Sequence, residues 1–179
     1  MTRGTGRPAG SKKKVHLNNV VVPAALASLS LVVLIAVLNY LNFDLEHGIG
    51  ASAIIFASFA GSAFLLFMVP RSHTASIRRF VKSYVIGAAF GSLGFLMLPS
   101  IGIYYTSAVV LFLASIVMVL TDSMHPPAIS LIFAYVLYDV GLLGNVLVIA
   151  GVVLLVVIRV FLERAIFIIE KDIKKYEGR

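Results

Sequence analysis

The sequence predicts an all-α fold, a polytopic membrane helix bundle, and two observations carry that prediction. Of the 179 residues, 60% are hydrophobic and 13% are charged, whereas an ordinary soluble domain carries about 25% charged residues. The apolar residues also form long uncharged blocks, several with about the 20 residues that cross the hydrocarbon core of a bilayer. Too little polar material remains to cover a water-exposed globule, so the sequence excludes an ordinary soluble domain.

The charge balance predicts the lipid bilayer as partner and no nucleic acid. The formal net charge is +7, from 15 Lys and Arg against 8 Asp and Glu. The basic residues lie at the edges of the apolar blocks, where membrane topology alone accounts for them. Cysteine is absent, which excludes disulfides and thiolate-ligated metals. No cofactor and no metal site are expected, and no enzymatic motif is present.

The apolar blocks predict the individual helices. Residues 20–41 and 48–69 each have the length of one membrane helix. Residues 126–138 would extend only roughly 20 Å as a helix, less than the hydrocarbon core of about 30 Å. They predict a short half-helix, and residues 140–158 predict the last span.

The block between these helices is too long for a single ordinary span. Residues 83–121 carry no charge, and Pro99, Ser100 and Gly102 interrupt them in a way that favours a turn. We therefore expect two helices here, joined by a tight turn. The bundle as a whole then has about five full spans and one half-helix that begins at Pro126.

The distribution of Lys and Arg predicts that both termini are cytoplasmic. Residues 1–19 form a basic tail that we expect to be disordered, residues 20–165 the transmembrane domain, and residues 166–179 an amphipathic cytoplasmic helix. The loop after the first helix contains Asp44 and Glu46 and no Lys or Arg, whereas the loop after the second helix is basic. Because positive charge stays on the cytoplasmic side, an even number of crossings and a multi-pass plasma-membrane protein are expected.

The polar segment before the half-helix is the strongest candidate site. Two prolines suit the first turn of a helix. The N-terminus of a buried half-helix carries N–H groups and about half a positive charge, which attract an anion. His125 can donate a hydrogen bond or bind as a cation, and its titration range would allow a proton-coupled role. The expected anion-binding residues are Thr121, Asp122, Ser123, His125, Pro126, Pro127 and Ser130.

Two other interpretations of this segment stay open. His125 and Asp122 could form a satisfied polar pair at the cytoplasmic headgroup boundary. Their i,i+3 spacing also fits a metal-binding pair, but the prolines break regular helix geometry and no third ligand lies nearby in the sequence.

A second candidate lies at the start of the second helix. Gly50, Ala51 and Ser52 leave the backbone bare, so that a small ligand or a partner helix can approach closely. Each candidate begins the middle helix of a three-helix half. This is the pattern of a 3+3 inverted repeat, in which residues 20–98 would correspond to residues 104–165.

Two further groups have ordinary interpretations beside functional ones. Arg71 and Arg78, in the basic loop, could draw anions to the entrance or serve only as topological anchors. Ser83, Gly87 and Gly91 recur every four residues, which is typical of tight packing between helices.

With these motifs assembled, the chain resembles the HPP family of small membrane proteins. The resemblance is carried by GASA at Gly50 to Ala53, by Pro70-x-Ser72 with Ala75 and Arg78, and by T-x-x-x-HPPA from Thr121 to Ala128. It implies a bundle of membrane helices and small-anion transport, because plant and cyanobacterial relatives are linked to nitrite movement. The chain departs from the common pattern at residues 83–84 and 129–130, so the substrate is the least transferable property.

The residues and the resemblance together predict a transporter or channel-like carrier of a small monovalent anion, with nitrite as the first candidate. The anion would bind at buried helix N-termini. The alternative is a non-transporting assembly or sensory subunit that acts through helix contacts. A homo-oligomer is compatible with either function, because a thin bundle of short helices leaves little room for a pore within one subunit.

Overall fold

The computed structural model describes the backbone of residues 18–40, 49–70, 72–138, 140–142 and 144–177. Within these ranges it describes the side chains of residues 20–36, 55–70, 72–138, 140–142 and 144–164. The described residues form helices and loops and include no strand, so the predicted all-α class is confirmed. The elements are α1 (Asn18–Tyr40), α2 (Ile49–Met68), a 3-10 helix (His73–Ala75), α3 (Ile77–Leu120), α4 (Pro126–Leu137) and α5 (Gly144–Glu177).

Helix α3 is a hairpin of two helical arms. Gly102 has φ 74° and ψ 167°, a conformation that is essentially restricted to glycine. The arms, residues 77–101 and 103–120, fold back along each other, so that a Cβ built on Gly94 would lie 3.5 Å from Val110. The predicted break in the long apolar block is therefore present, and the non-helical backbone is that of Gly102.

The start of α3 differs from the sequence prediction. The helix begins at Ile77, after Ser76 as N-cap, and not at Ser83, where the uncharged block begins. The first uncharged residue was a poor guide to the start of the helix. Long Arg and Lys side chains at a helix end can keep their charges in the polar layer while the helix continues. The basic residues Arg78, Arg79 and Lys82 thus belong to the first turns of α3.

Helix α4 is short and occupies the middle of the bundle. It has 12 residues, a length of about 18 Å at the usual helical rise, and His125 is its N-cap. Ala128, Leu131 and Tyr135 have no exposed surface, because α4 packs against both α2 and α3. The predicted short helix at the two prolines is confirmed.

The remaining helices surround this centre. Helix α1 contacts α2 and α5, and α5 also contacts α2 and α3. Among the described residues, α3 and residues 144–164 of α5 are long and apolar enough to cross a membrane, and α1, α2 and α4 contribute shorter apolar stretches. Helix α5 continues to Glu177 as one helix, so that the predicted amphipathic helix, residues 166–179, is an extension of the last span as far as the structure describes it. Of the predicted tail, residues 1–19, the first 17 lie outside the described residues, and residues 18–19 belong to α1.

Candidate functional site

His125 lies in the loop between α3 and α4, and its side chain is buried inside the bundle. The residue is 1% exposed. Its Nε2 atom is 2.9 Å from Ser62 Oγ on α2, and its Nδ1 atom is 3.1 Å from the carbonyl oxygen of Thr74 in the 3-10 helix. Ser62 precedes the end of α2 at Met68 by six residues, or about 9 Å along the helix axis. The imidazole therefore sits below the end of α2, with the 3-10 helix over it.

A chain of hydroxyl groups continues from His125 into the bundle. Ser62 Oγ is 2.8 Å from the Tyr84 hydroxyl, which is 2.6 Å from Ser58 Oγ. Ser58 Oγ in turn donates to the carbonyl oxygen of Pro127, at 2.6 Å. We call Ser58, Ser62, Tyr84 and His125 the His125 cluster. Its members have 0–1% exposure, so the cluster joins α2, α3 and the start of α4 out of contact with solvent.

Aromatic rings enclose the cluster. Phe59 stacks on Tyr84 with ring centroids 5.0 Å apart, and Phe80 meets His125 edge-on at 5.5 Å. These rings exclude water and lower the local dielectric constant, which strengthens each hydrogen bond and makes an unpaired polar atom costly. Such a cluster keeps its geometry only while every member has a partner.

The hydrogen bonds assign the proton of the neutral imidazole. The carbonyl oxygen of Thr74 can only accept, so the Nδ1 atom of His125 carries hydrogen and donates to it. The Nε2 atom then accepts a hydrogen bond from the Ser62 hydroxyl. The ring is buried, and burial disfavours the charged imidazolium. The neutral form is therefore the resting state near neutral pH.

Sequence reasoning missed the two serines of α2 and the tyrosine of α3. Ser58 and Ser62 are four residues apart, so they lie on one face of α2, and Gly61 beside them lets Pro127 approach. A Cβ built on Gly61 would lie 3.1 Å from the Pro127 ring. The Ser-x-x-x-Ser spacing was a signal that could have found this face, although serines in membrane helices commonly serve packing alone.

The start of α4 offers fewer free backbone donors than the sequence analysis expected. Pro126 and Pro127 have no N–H group, and the Ala128 N–H already donates to the carbonyl oxygen of His125 at 2.9 Å. An anion at this end would depend mainly on side-chain donors and on the helix dipole. The Ser130 hydroxyl is also engaged, because it donates to the carbonyl oxygen of Pro127 at 2.6 Å.

The remaining predicted residues of this segment lie around the loop surface. Thr121 Oγ1 donates to the carbonyl oxygen of Val117 at 2.7 Å and is 2.7 Å from Ser123 Oγ. Ser123 is fully buried, whereas Thr121 is exposed. These hydroxyls close the C-terminal end of α3, and their hydrogen bonds go to partners outside the His125 cluster.

Asp122 belongs to a separate surface group with Arg79 and His73, which we call the Arg79 latch. The Arg79 Nε atom donates to both the carboxylate and the carbonyl oxygen of Asp122 at 3.2 Å. Another Arg79 nitrogen donates to the carbonyl oxygen of His73 at 3.0 Å. The hydrogen bond from Arg79 is the main reason that the pKa of the Asp122 carboxyl lies below its ordinary value. The hypothesis of an Asp122–His125 pair is therefore wrong, because each residue has other partners.

The other predicted residues are only partly described. Gly50, Ala51 and Ser52 occupy the first turn of α2, but their side chains lie outside the described residues, as does Arg71. Ser52 precedes Ser62 by ten residues, which separates the two by about 15 Å along α2. Arg78 is exposed on the first turn of α3. The predictions for these five residues stay untested. Among the described residues, no group of three possible metal ligands comes together.

A second polar group lies toward the opposite end of α4. The Tyr135 hydroxyl donates to Asn145 Oδ1 at 2.7 Å, and Asn145 Nδ2 donates to Ser92 Oγ at 2.8 Å. Ser92, Asn145 and Tyr84 also line an apolar groove of about 420 Å³ between α3 and α5. This group ties the end of α4 to α3 and α5.

These features define a helical bundle whose short central helix begins beside a buried polar cluster, in a chain with apolar helices of membrane-spanning length. The family model for the HPP transmembrane region matches residues 12–170. The chain therefore belongs to the HPP family and is a multi-pass integral membrane protein. No curated protein and no solved structure matched it at the similarity that we required.

Proposed function

We propose that this protein transports a small monovalent anion across the plasma membrane, with nitrite as the first candidate. The observation that carries the proposal is the His125 cluster, a set of polar side chains in the interior of a membrane bundle. Polar and ionisable groups inside a membrane domain are costly and usually mark a substrate pathway. Family membership supports a membrane function, and the resemblance noted from the sequence supports a small anion.

The chemistry of the cluster suits a monovalent anion that has to be released again. Ser58, Ser62, Tyr84 and His125 supply O–H and N–H donors, and none of them carries a fixed positive charge. Neutral donors can replace part of the hydration shell of an anion without the tight binding of a buried Lys or Arg. Conduction requires binding that is favourable enough for entry and weak enough for exit.

The Arg79 latch provides an entrance in this proposal. Arg79 and Asp122 both contact His73, and the 3-10 helix that contains His73 also supplies the Thr74 carbonyl above His125. Opening of the latch would free the 3-10 helix and expose the cluster. Nearby basic side chains at the start of α3, including Lys82, would raise the local anion concentration.

The topology that accompanies this function has both termini in the cytoplasm. The two arms of α3, together with α1, α2, α4 and α5, give six helical segments, three on each side of Gly102. The basic loop with the Arg79 latch would face the cytoplasm and the Gly102 turn the opposite side. A 3+3 inverted repeat and a homo-oligomer are part of the proposal.

One observation favours a second candidate, a non-transporting assembly or sensory subunit. Among the buried side chains that the structure describes, only Thr106 Oγ1 lacks a hydrogen-bond partner. The polar atoms of the His125 cluster are thus satisfied within the protein, as they would be if the cluster only fastened α2, α3 and α4 together. Under this candidate, changes in the cluster would affect stability and partner binding without affecting any flux.

Flux measurements distinguish the two candidates. The full chain is reconstituted into liposomes, and uptake of nitrite, nitrate, formate and chloride is compared with empty liposomes. We expect the wild type to take up nitrite. Ser62→Ala and Tyr84→Phe should lower that uptake by at least about tenfold, as removal of preorganised donors does at other charged-ligand sites. Ser115→Ala should leave the uptake unchanged. Ser115 is the matched control because its exposed hydroxyl bonds only the Leu111 carbonyl within its own helix. Absence of uptake of all four anions by folded protein would reject transport of these ions and favour the assembly candidate.

A further inference from the structure

We propose that His125 binds a proton and that the transported anion is the counter-ion of the protonated ring, so that one proton and one anion bind together. This inference rests on the proposed function and adds the identity of the coupling ion. Its structural basis is that the His125 cluster can satisfy both protonation states of the imidazole with the same heavy-atom positions. The two states differ only in the directions of three hydroxyl hydrogens and in the added proton.

In the neutral state the hydroxyl hydrogens run towards His125. The Nδ1–H group donates to the Thr74 carbonyl oxygen, and the Ser62 hydroxyl donates to Nε2. The Ser62 oxygen then accepts from the Tyr84 hydroxyl, and the Tyr84 oxygen is available to the Ser58 hydroxyl. In this state the Ser58 hydroxyl no longer donates to the Pro127 carbonyl oxygen, which keeps the Ser130 hydroxyl as its donor at 2.6 Å.

In the protonated state the same chain runs the other way. Nε2–H now donates to Ser62 Oγ, and the Ser62 hydroxyl donates to the Tyr84 hydroxyl oxygen, which lies 2.8 Å away. The Tyr84 hydroxyl donates to Ser58 Oγ, and the Ser58 hydroxyl donates to the Pro127 carbonyl oxygen at 2.6 Å. A serine hydroxyl has one hydrogen and two lone pairs, so each member can exchange roles in this way.

The protonated state satisfies the hydrogen bonds but leaves a buried charge. Of the acidic side chains that the structure describes, Asp122 binds Arg79 and His73, and Glu163 binds Arg159. Neither carboxylate forms an ion pair with His125. A buried cation without a counter-ion is strongly disfavoured, and the positive end of the α4 dipole adds to that penalty.

The other titratable groups around His125 do not supply the missing negative charge. Tyr84 on α3 has its ring centroid 6.0 Å from the imidazole. His73 on the 3-10 helix and Arg79 on α3 are basic, and both are engaged with Asp122 at the surface. On α2 the facing groups are the hydroxyls of Ser58 and Ser62. A bound monovalent anion is therefore the counter-ion that would make the imidazolium favourable.

Charge balance then fixes the stoichiometry. A proton adds one positive charge to His125, the anion adds one negative charge, and the pair crosses without net charge movement. Proton and anion each raise the affinity for the other by the same factor, as linkage requires. Anion movement would respond to a pH gradient and would not respond to membrane potential.

Nuclear magnetic resonance of the imidazole tests the proton site without any flux measurement. The full chain with His16→Gln, His47→Gln and His73→Gln retains His125 as its single histidine, and its ¹⁵N shifts report tautomer and charge directly. In sodium sulfate we expect the neutral form with hydrogen on Nδ1. In sodium nitrite at equal ionic strength we expect the titration midpoint to rise by about one unit, which corresponds to tenfold tighter nitrite binding to the protonated form. A midpoint that is equal in the two salts would overturn the proposal.

Flux measurements separate failure of this inference from failure of the proposed function. We expect a pH gradient, acidic outside, to drive nitrite accumulation at zero potential, and His125→Gln, which cannot be protonated, to lose that accumulation. Nitrite flux that is insensitive to the gradient, with a midpoint that nitrite does not move, would retain transport and reject proton coupling. Absence of flux in folded protein would reject transport, while the resonance measurement would still decide whether His125 binds a proton together with the anion.

Discussion

The Arg79 guanidinium binds both the carboxylate and the backbone carbonyl of Asp122, 43 residues further along the chain. This contact joins the start of the α3 hairpin to the loop after its end. Asp122 also has φ 50°, a left-handed conformation in which Asp and Asn are tolerated better than most residues. Asp122→Asn therefore removes the charge and keeps a residue that suits the backbone.

Asp122→Asn is expected to remove a pH-dependent part of the stability. The hydrogen bond from Arg79 holds the pKa of this carboxyl below its ordinary value, so the ionised carboxylate stabilises the folded protein. That contribution is complete above the unfolded pKa of about 3.9 and is lost as the pH falls through the lower folded pKa. In detergent, the thermal unfolding midpoint of the wild type should exceed that of the variant at about pH 7, and the difference should be smaller at about pH 3. High salt should reduce the difference, since the pair is exposed. An equal difference at both pH values would contradict this account.

Gly102→Ala is expected to destabilise the α3 hairpin by about 1–3 kcal/mol, because the backbone conformation at this position is nearly exclusive to glycine. A Cβ at Gly102 would meet nothing within 4 Å, so the loss is conformational and not steric. Pro99→Ala serves as the control, since the chain at Pro99 keeps helical geometry. Chemical denaturation of both variants in detergent measures the difference. A greater loss of stability in Pro99→Ala than in Gly102→Ala would show that the turn depends mainly on the proline.

Gly91→Ala is expected to force α3 and α4 apart. A Cβ at this position would lie 2.7 Å from the ring of Tyr135, and Tyr135 is fully buried. Overpacking of this kind costs about 1–3 kcal/mol. Ala89→Val, at an exposed position two residues away on the same arm, is the control for added volume. The two variants are compared by their thermal unfolding midpoints. Equal midpoints would show that α4 moves to accommodate the methyl group without loss of stability.

Ser62→Ala and Tyr84→Phe are expected to show energetic coupling. Ser62→Ala leaves a buried polar group of His125 without its partner, at a cost of about 1–3 kcal/mol. Because Tyr84 and Ser62 share a hydrogen bond, the double variant should deviate from additivity by about 0.5–3 kcal/mol. Ser115→Ala, combined with Tyr84→Phe in the same way, should be additive. Additive behaviour of the Ser62 pair would show that the two hydroxyls do not interact.

Single cysteines test the topology, because the chain has none of its own. His73 is exposed beside the Arg79 latch, and Tyr104 is 86% exposed next to the Gly102 turn. A membrane-impermeant maleimide applied to intact cells should label Tyr104→Cys, and His73→Cys should react only after the membrane is permeabilised. Labelling of both positions in intact cells would contradict the proposed orientation.

Much of the fold followed from the sequence because its causes are local. The apolar blocks set the helices, and the prolines before residue 128 set the start of α4 through their fixed φ and missing N–H groups. The start of α3 lies at Ile77 and not at Ser83, because charge alone does not end a helix. Arg79 and not Arg78 forms the latch, since neighbouring positions on a helix point about 100° apart, and only the path of the hairpin decides which of them meets Asp122.

The candidate site was predictable in part. His125 stood out as an ionisable residue between apolar segments, but its partners did not. Ser62 lies 63 residues away and Thr74 lies 51 residues away. Composition does not distinguish Ser62 from the other serines of α2 as a partner of His125.

By itself, the sequence determined the class of the protein, the number of its segments and the short helix at His125, because hydrophobic length and proline chemistry act within a few residues. The tertiary structure alone decided which side chains surround His125. That choice depends on how three helices pack, and hydrogen bonds between distant residues form only where packing brings both atoms within about 3 Å.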